Sequence, residues 1–188
     1  MDIRPREPHD LGACVRVLAE VHHGDGYPAD WPGSPARWLS PPALLGAWVA
    51  VERDGPPAGH ITLSRSGPGD AAPELWSRRT GAPAGAAAVI GRLFVSPADR
   101  GRGAGALLMG RAVRAAGERG LHPVLDVLDS DTAAAALYER LGWALLGTAE
   151  QRWSPTRTVT VRCYAAPAGL PADSPADHPT GSPAPRPS

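Results

Sequence analysis

Apolar positions along this chain change period in a regular order. After a short extended stretch at Met1 to Arg4, Leu11, Cys14, Val15, Leu18 and Val21 recur at the spacing of one helix face. Trp48 to Val51 and His60 to Leu63 flank Asp54-Gly55, the pattern of strand, tight turn and strand. Val89 to Val95 is an apolar run that suits a central strand. The segment after it sets Leu108, Ala112, Ala115 and Ala116 on one helix face and stops at Gly120. Val124 to Leu128 predicts another strand. Asp129-Ser130-Asp131 then offers N-cap side chains to a helix that packs through Ala134, Leu137, Tyr138 and Leu141 and ends at Gly142. Trp143 to Leu146 and Thr158 to Tyr164 can pair as a closing hairpin across residues 147 to 157. This order specifies one α/β domain over residues 1 to 164.

Three stretches break the pattern. Residues 22 to 43 hold His22, His23, Asp25, Tyr27, Trp31 and Trp38 among prolines and glycines, and predict an irregular loop. Residues 65 to 87 form a long connection in which Pro73 to Thr80 suits a short helix; connections of that length inside a domain are often functional. Residues 165 to 188 are proline-rich with almost nothing large to bury, so a disordered tail is expected.

Charge changes this picture only locally. The 19 basic and 19 acidic residues cancel, so no global field points to nucleic acid or an anionic membrane, and neither is expected as a partner. Every basic residue is an arginine, whose planar fork fixes phosphate geometry better than an ammonium. Cys14 and Cys163 have neither metal-ligand spacing nor a disulfide framework. With no charged-then-apolar leader and no apolar run near the roughly 18 residues of a bilayer span, a cytoplasmic location is expected.

The stretch Arg100-Gly101-Arg102-Gly103-Ala104-Gly105 lies between the apolar strand and a helix. N–H groups at a helix start are unpaired and sit at the positive end of its dipole, so a turn without bulk there can receive a pyrophosphate. The alternative is a plain glycine turn. A dinucleotide fingerprint is out of register, and a Walker loop needs a lysine the chain lacks.

Leu93 through Leu108 resembles the acetyl-CoA motif of GNAT acetyltransferases, and a second block agrees in order and spacing: Leu125-Asp126-Val127, Ala134, Leu137-Tyr138-Glu139 and Leu141-Gly142-Trp143. The resemblance implies a GNAT fold: a mixed, mostly antiparallel sheet with splayed parallel central strands and flanking helices. It implies acetyl-CoA as cosubstrate, without a metal. Backbone groups of Leu93, Phe94 and Val95 would pair with pantetheine, and one N–H there would polarise the thioester carbonyl. Arg100, Gly101, Arg102, Gly103, Ala104, Gly105 and Ala106 would hold the pyrophosphate, and Tyr138 would protonate the leaving thiolate. The implied activity is direct transfer of an acetyl group to a primary amine in a ternary complex.

Two positions depart from the family. Asp131 stands where many members have an asparagine that contacts the cofactor; aspartate keeps the cap and loses the amide donor. Gly91 and Arg92 lie where many members place a glutamate base. His60, Glu74, Asp126 and a water chain remain as candidates, although His60 also reads as a strand histidine facing solvent and Asp126 as a surface or capping acid. For the acceptor, Tyr27, Trp31, Trp38 and Trp76 are the expected aromatic lining, against the alternative that they plug loops onto the core. His22 and His23 lack further ligands at useful spacing, so no metal is expected. A small-molecule amine is the expected acceptor. A protein or peptide amine, a noncatalytic acyl-CoA sensor and self-association as a homodimer stay open.

Overall fold

The computed structural model describes residues 1–53, 55–154 and 157–167. Seven strands, β1 (Asp2–Pro5), β2 (Leu44–Val51), β3 (Pro57–Arg65), β4 (Ala87–Val95), β5 (His122–Leu128), β6 (Ala144–Ser154) and β7 (Arg157–Ala165), form one sheet in the order β1-β2-β3-β4-β5-β7-β6. Every neighbouring pair is antiparallel except β4 and β5. The expected closing hairpin is present with longer arms, since β6 runs Ala144–Ser154 and stays in register with β7 as far as Ser154 opposite Arg157. The chain is still ordered beyond residue 164, since Ala165 ends β7 and Ala166 N–H donates to Pro123 O at 3.0 Å. The expected tail lies, from residue 168 on, outside the described residues, as does Asp54 of the expected turn.

Five helices cover the two faces: α1 (Leu11–Asp25), α2 (Pro35–Trp38), α3 (Ala71–Thr80), α4 (Ala104–Gly117) and α5 (Thr132–Arg140). Helix α1 buries Cys14, Val17, Leu18 and Val21 against Val49, Val51 and Phe94. On the same side of the sheet α3 covers Val124, Val161 and Cys163. Helices α4 and α5 take the opposite face, where Leu108, Met109 and Ala112 meet Ile61, Ile90 and Leu125. Each full burial of a Leu or Ile side chain contributes about 1.5–3 kcal/mol, which fixes both helices against the strands they follow. The expected stops Gly120 and Gly142 take φ of 67° and 78°, which costs glycine little, and Asp131 Oδ1 accepts from Ala134 N–H at 3.0 Å; α1 instead runs four residues into the expected loop, to Asp25, before Gly26 caps it with φ of 72°.

Candidate active site

The one parallel pairing creates a cleft. β4 and β5 pair only through Ala87, Ala88 and Val89, opposite His122, Pro123 and Val124. Beyond that point β5 is held by β7 on its other edge, so the β4 edge from Ile90 to Val95 has no strand beside it. Phe94 turns its side chain into the α1 core, so only its backbone is available to this edge.

A bulge shapes that edge. The β3–β4 register breaks between His60/Phe94 and Thr62/Gly91, so Ile61 faces both Arg92 and Leu93. Arg92 absorbs the extra residue with φ of 51°. Two β3 side chains hold the bulge: Thr62 Oγ1 donates to Gly91 O at 2.9 Å and His60 Nδ1 donates to Arg92 O at 3.1 Å. A planar trans peptide carries its N–H opposite its carbonyl. With two successive carbonyls drawn toward β3, the N–H groups of Arg92 and Leu93 both turn toward the cleft, where a regular strand would alternate them. Consecutive N–H groups aimed one way form an anion-receiving concavity.

His60 is therefore structural, contrary to the expectation of a solvent-facing strand histidine. It is fully buried, stacked on Phe94, and its Nε2 accepts from Arg6 Nη1 at 2.9 Å. With both ring nitrogens used, it has no lone pair for a substrate proton. Burial pushes its pKa down to about 3. Arg6 also donates to Leu39 O and Ser40 Oγ, each at 2.7 Å, so one guanidinium ties the bulge support to the end of α2.

Past the open end of the cleft, after the C-terminal end of β4, α4 begins at Ala104. Its first bond runs from Leu107 N–H to Gly103 O at 3.1 Å, leaving the N–H groups of Ala104, Gly105 and Ala106 without intrahelical acceptors. Gly101 and Gly103 have φ of 74° and 81°, and an added Cβ at either would meet nothing within 4 Å; they are required by backbone conformation, not by crowding. The two arginines of this loop are engaged within the protein. Arg100 pairs with Asp25, and Arg102 pairs with Glu52 at 2.9 Å and Asp99 at 3.0 Å. They brace the loop, while the backbone presents the donors.

Tyr138 enters from α5, packed between Trp143 and Tyr164 with ring centroids 6.2 and 5.8 Å away. Its hydroxyl makes no hydrogen bond among the described residues. Burial first, then the fields of Tyr27, Asp131 and Asp126, raise its pKa, so the phenol stays protonated at neutral pH. The same fields show what shares its surroundings: Tyr27 feels Arg92, Asp126 and Asp131. Tyr27, Arg92, Asp126, Asp131 and Tyr138 thus gather from the loop after α1, β4, β5 and α5. Asp126 accepts a hydrogen bond from the Gln151 side chain, yet burial outweighs it and lifts the carboxyl above the usual carboxylate range. Asp131 spends its carboxylate on the α5 cap.

The structure sorts the remaining candidates. Tyr27 packs edge-on against Trp38 at 6.2 Å, and Trp38 carries the Arg92 guanidinium over its ring at 4.9 Å. Trp76 does not join them: it lies on the buried face of α3, stacked on His122 at 5.0 Å, which corrects its expected place in the acceptor lining. Trp31 is half exposed beside His22. Its neighbour Asp30 pairs with Arg157, which ties the loop to β7. Glu74 is exposed and pairs with Arg78, so it is no base. Cys14 and Cys163 are buried, with thiols pushed up to about 11 and about 12, and offer no nucleophile for a covalent acyl relay. No group of three or more metal-ligating side chains is assembled among the described residues. The bulge was foreshadowed only by Gly91-Arg92 interrupting an otherwise apolar strand.

The chain matches the acetyltransferase (GNAT) family over residues 15–143. No curated protein matches it by sequence. Among solved structures it is similar to the ribosomal-protein-alanine N-acetyltransferase of Brucella melitensis, at 19% identity over 88% of this chain and 98% of that one, with a TM-score of 0.64. An acetyltransferase of Salmonella typhimurium, solved with its cofactor acetyl-CoA, is 17% identical over 94% and 98% of the two chains, with a TM-score of 0.64. Arabidopsis thaliana NAA60, solved in complex with acetyl-CoA, is 18% identical over 87% and 97%, with a TM-score of 0.61. At these identities the likeness carries the fold.

Proposed function

This chain belongs to the GNAT acetyltransferase family and acts with acetyl-CoA, and on that premise we propose that it acetylates the primary amine of a small molecule by direct transfer in a ternary complex. What supports this reading is the open, bulged β4 edge where β4 and β5 part, together with Tyr138 and Asp126, each of which lies in the electrostatic field of the same group of residues. Acetyl-CoA supplies the activated acyl group and a thiolate leaving group. The open β4 edge at Leu93, Phe94 and Val95 fits the pantetheine amides, and the N–H groups from Ala104 to Ala106 fit the pyrophosphate. The helix start and the unpaired edge supply donors in the two places those groups require.

Each side chain then has one task. An alkylammonium has a pKa near about 10 and must lose a proton before attack; Asp126, made more basic by burial, accepts it. As the nitrogen–carbon bond forms, negative charge builds on the carbonyl oxygen, and the N–H groups of Arg92 and Leu93 donate to it. The carbon–sulfur bond breaks, Tyr138 gives its proton to the sulfur, and the second proton that the nitrogen sheds as the amide forms returns to the phenolate, directly or through water. Asp126 leads His60 and Glu74 as base because it is half-buried beyond the last β4–β5 pair and has no arginine partner among the described residues, whereas His60 is held by Arg6 and Glu74 by Arg78.

The direct test is thiol release from acetyl-CoA against amines, amino acids, aminoglycosides and peptides. Acceptor-dependent release, with the acetylated product recovered by mass, is the expected result. Acetyl-CoA binding with no acceptor-dependent release by any of them would favour a sensor instead.

A further inference from the structure

The proposed chemistry leaves one charged group at the cleft without a task. Arg92 is half-buried and its Nε is wholly buried with no hydrogen-bond partner. It forms no ion pair among the described residues, and desolvation lowers its pKa. Arg4 forks onto Asp10 at 2.6 and 2.8 Å, and Arg6 donates to Leu39 O, Ser40 Oγ and His60; Arg111, whose Nη1 is likewise buried without a hydrogen bond, has the Glu118 carboxylate 3.7 Å away, whereas Arg92 has no carboxylate beside it among the described residues. A guanidinium drawn out of water without a counter-ion is unfavourable. The chain nevertheless spends a left-handed backbone residue to place it there.

Its mounting is that of a binding group. The guanidinium lies over Trp38 at 4.9 Å, and Tyr27 packs edge-on against the same indole. A guanidinium stacked on an aromatic face keeps its N–H edge for a planar oxyanion. The Arg6 bonds to Leu39 and Ser40 fix the end of α2 that carries Trp38. Tyr27 feels both the positive charge of Arg92 and the negative charge of Asp126.

We propose that the acceptor is an amine that also bears an acid group, of the amino-acid type, whose oxyanion pairs with Arg92 over Trp38 while its amine meets Asp126. This rests on the acetyltransferase reading and narrows it, because a backbone-embedded lysine or a peptide N-terminus carries no free carboxylate of its own beside the amine. Arg92 thus replaces a base common in the family with a specificity group, and the base moves to β5.

The test is kcat/KM at saturating acetyl-CoA for free α- and ω-amino acids, each beside its carboxamide, with tetrapeptides as a third arm. The expected result is at least about a 100-fold preference for an acid over its carboxamide, expressed mainly in KM. That ratio should collapse toward one in Arg92→Met and recover partly in Arg92→Lys, with acetyl-CoA affinity unchanged in both. Equal use of acid and carboxamide, exclusive use of the peptides, acetylation of no acid-bearing amine, or an Arg92→Met variant that keeps the preference would each overturn the proposal while leaving acetyl transfer standing. Absence of acetyl-CoA binding by the wild-type chain would overturn the transferase reading and this proposal together.

Discussion

Asp126→Asn is expected to lower kcat/KM at neutral pH by about 100- to 10,000-fold, the usual range for a positioned base. The defect should shrink as pH rises toward the acceptor's own pKa, because an amine already neutral needs no base. In the wild type, activity should fall on the acid side as Asp126 protonates, and burial places that limb above the ordinary carboxylate range. Stability should move the other way. A carboxyl whose folded pKa is raised contributes stability below its unfolded pKa and loses it as pH climbs through the folded value. Asparagine keeps the neutral form, so the variant should melt at or above the wild-type temperature at pH 7. An inactive variant that is also unstable would point to the Gln151 hydrogen bond as the reason for Asp126; pH–rate profiles and melting curves of both proteins separate the cases.

Tyr138→Phe should turn over about 100-fold more slowly with unchanged acetyl-CoA affinity, measured by single-turnover kinetics under acceptor saturation. The lower end of the range for acid catalysis is expected because water can replace a phenol in an open cleft. The hydroxyl has no hydrogen-bond partner among the described residues, so phenylalanine retains the packing on Trp143 and Tyr164 at little cost in stability. A more acidic thiol leaving group should lessen the defect, since a weaker base needs less help from a proton donor. Wild-type turnover in a step limited by chemistry would make Tyr138 a packing residue.

What could be read along the chain and what could not divide by range. The α4 start was legible because its information is local: an apolar strand, two glycines in left-handed conformation and an apolar helix face lie within about twenty consecutive residues. The Asp131 cap was legible for the same reason. The acceptor side was not, because its residues come from four separate elements. Nothing near Trp76 distinguishes it from Trp38 as an aromatic in a long connection; only the packing puts one on His122 and the other beneath Arg92. His60 read as an exposed strand histidine because its partners, Arg6 and the Arg92 carbonyl, lie 54 and 32 residues away. Asp126 stood level with Glu74 and His60 in the sequence because the partners that occupy the other two, Arg78 for Glu74 and Arg6 for His60, show only in the fold.

The central claim is that acetyl-CoA sits at the start of α4 beside the open edge of β4. Calorimetric titration of acetyl-CoA into the full-length chain tests it, with Gly103→Asp as the variant, since aspartate tolerates left-handed φ better than most residues and sets a carboxylate among the donors meant for the pyrophosphate. The expected result is one cofactor bound per chain and an affinity lowered by about 10- to 100-fold in the variant, or about 1.4–2.8 kcal/mol, with its circular dichroism unchanged. Equal affinity in a folded Gly103→Asp protein would contradict it.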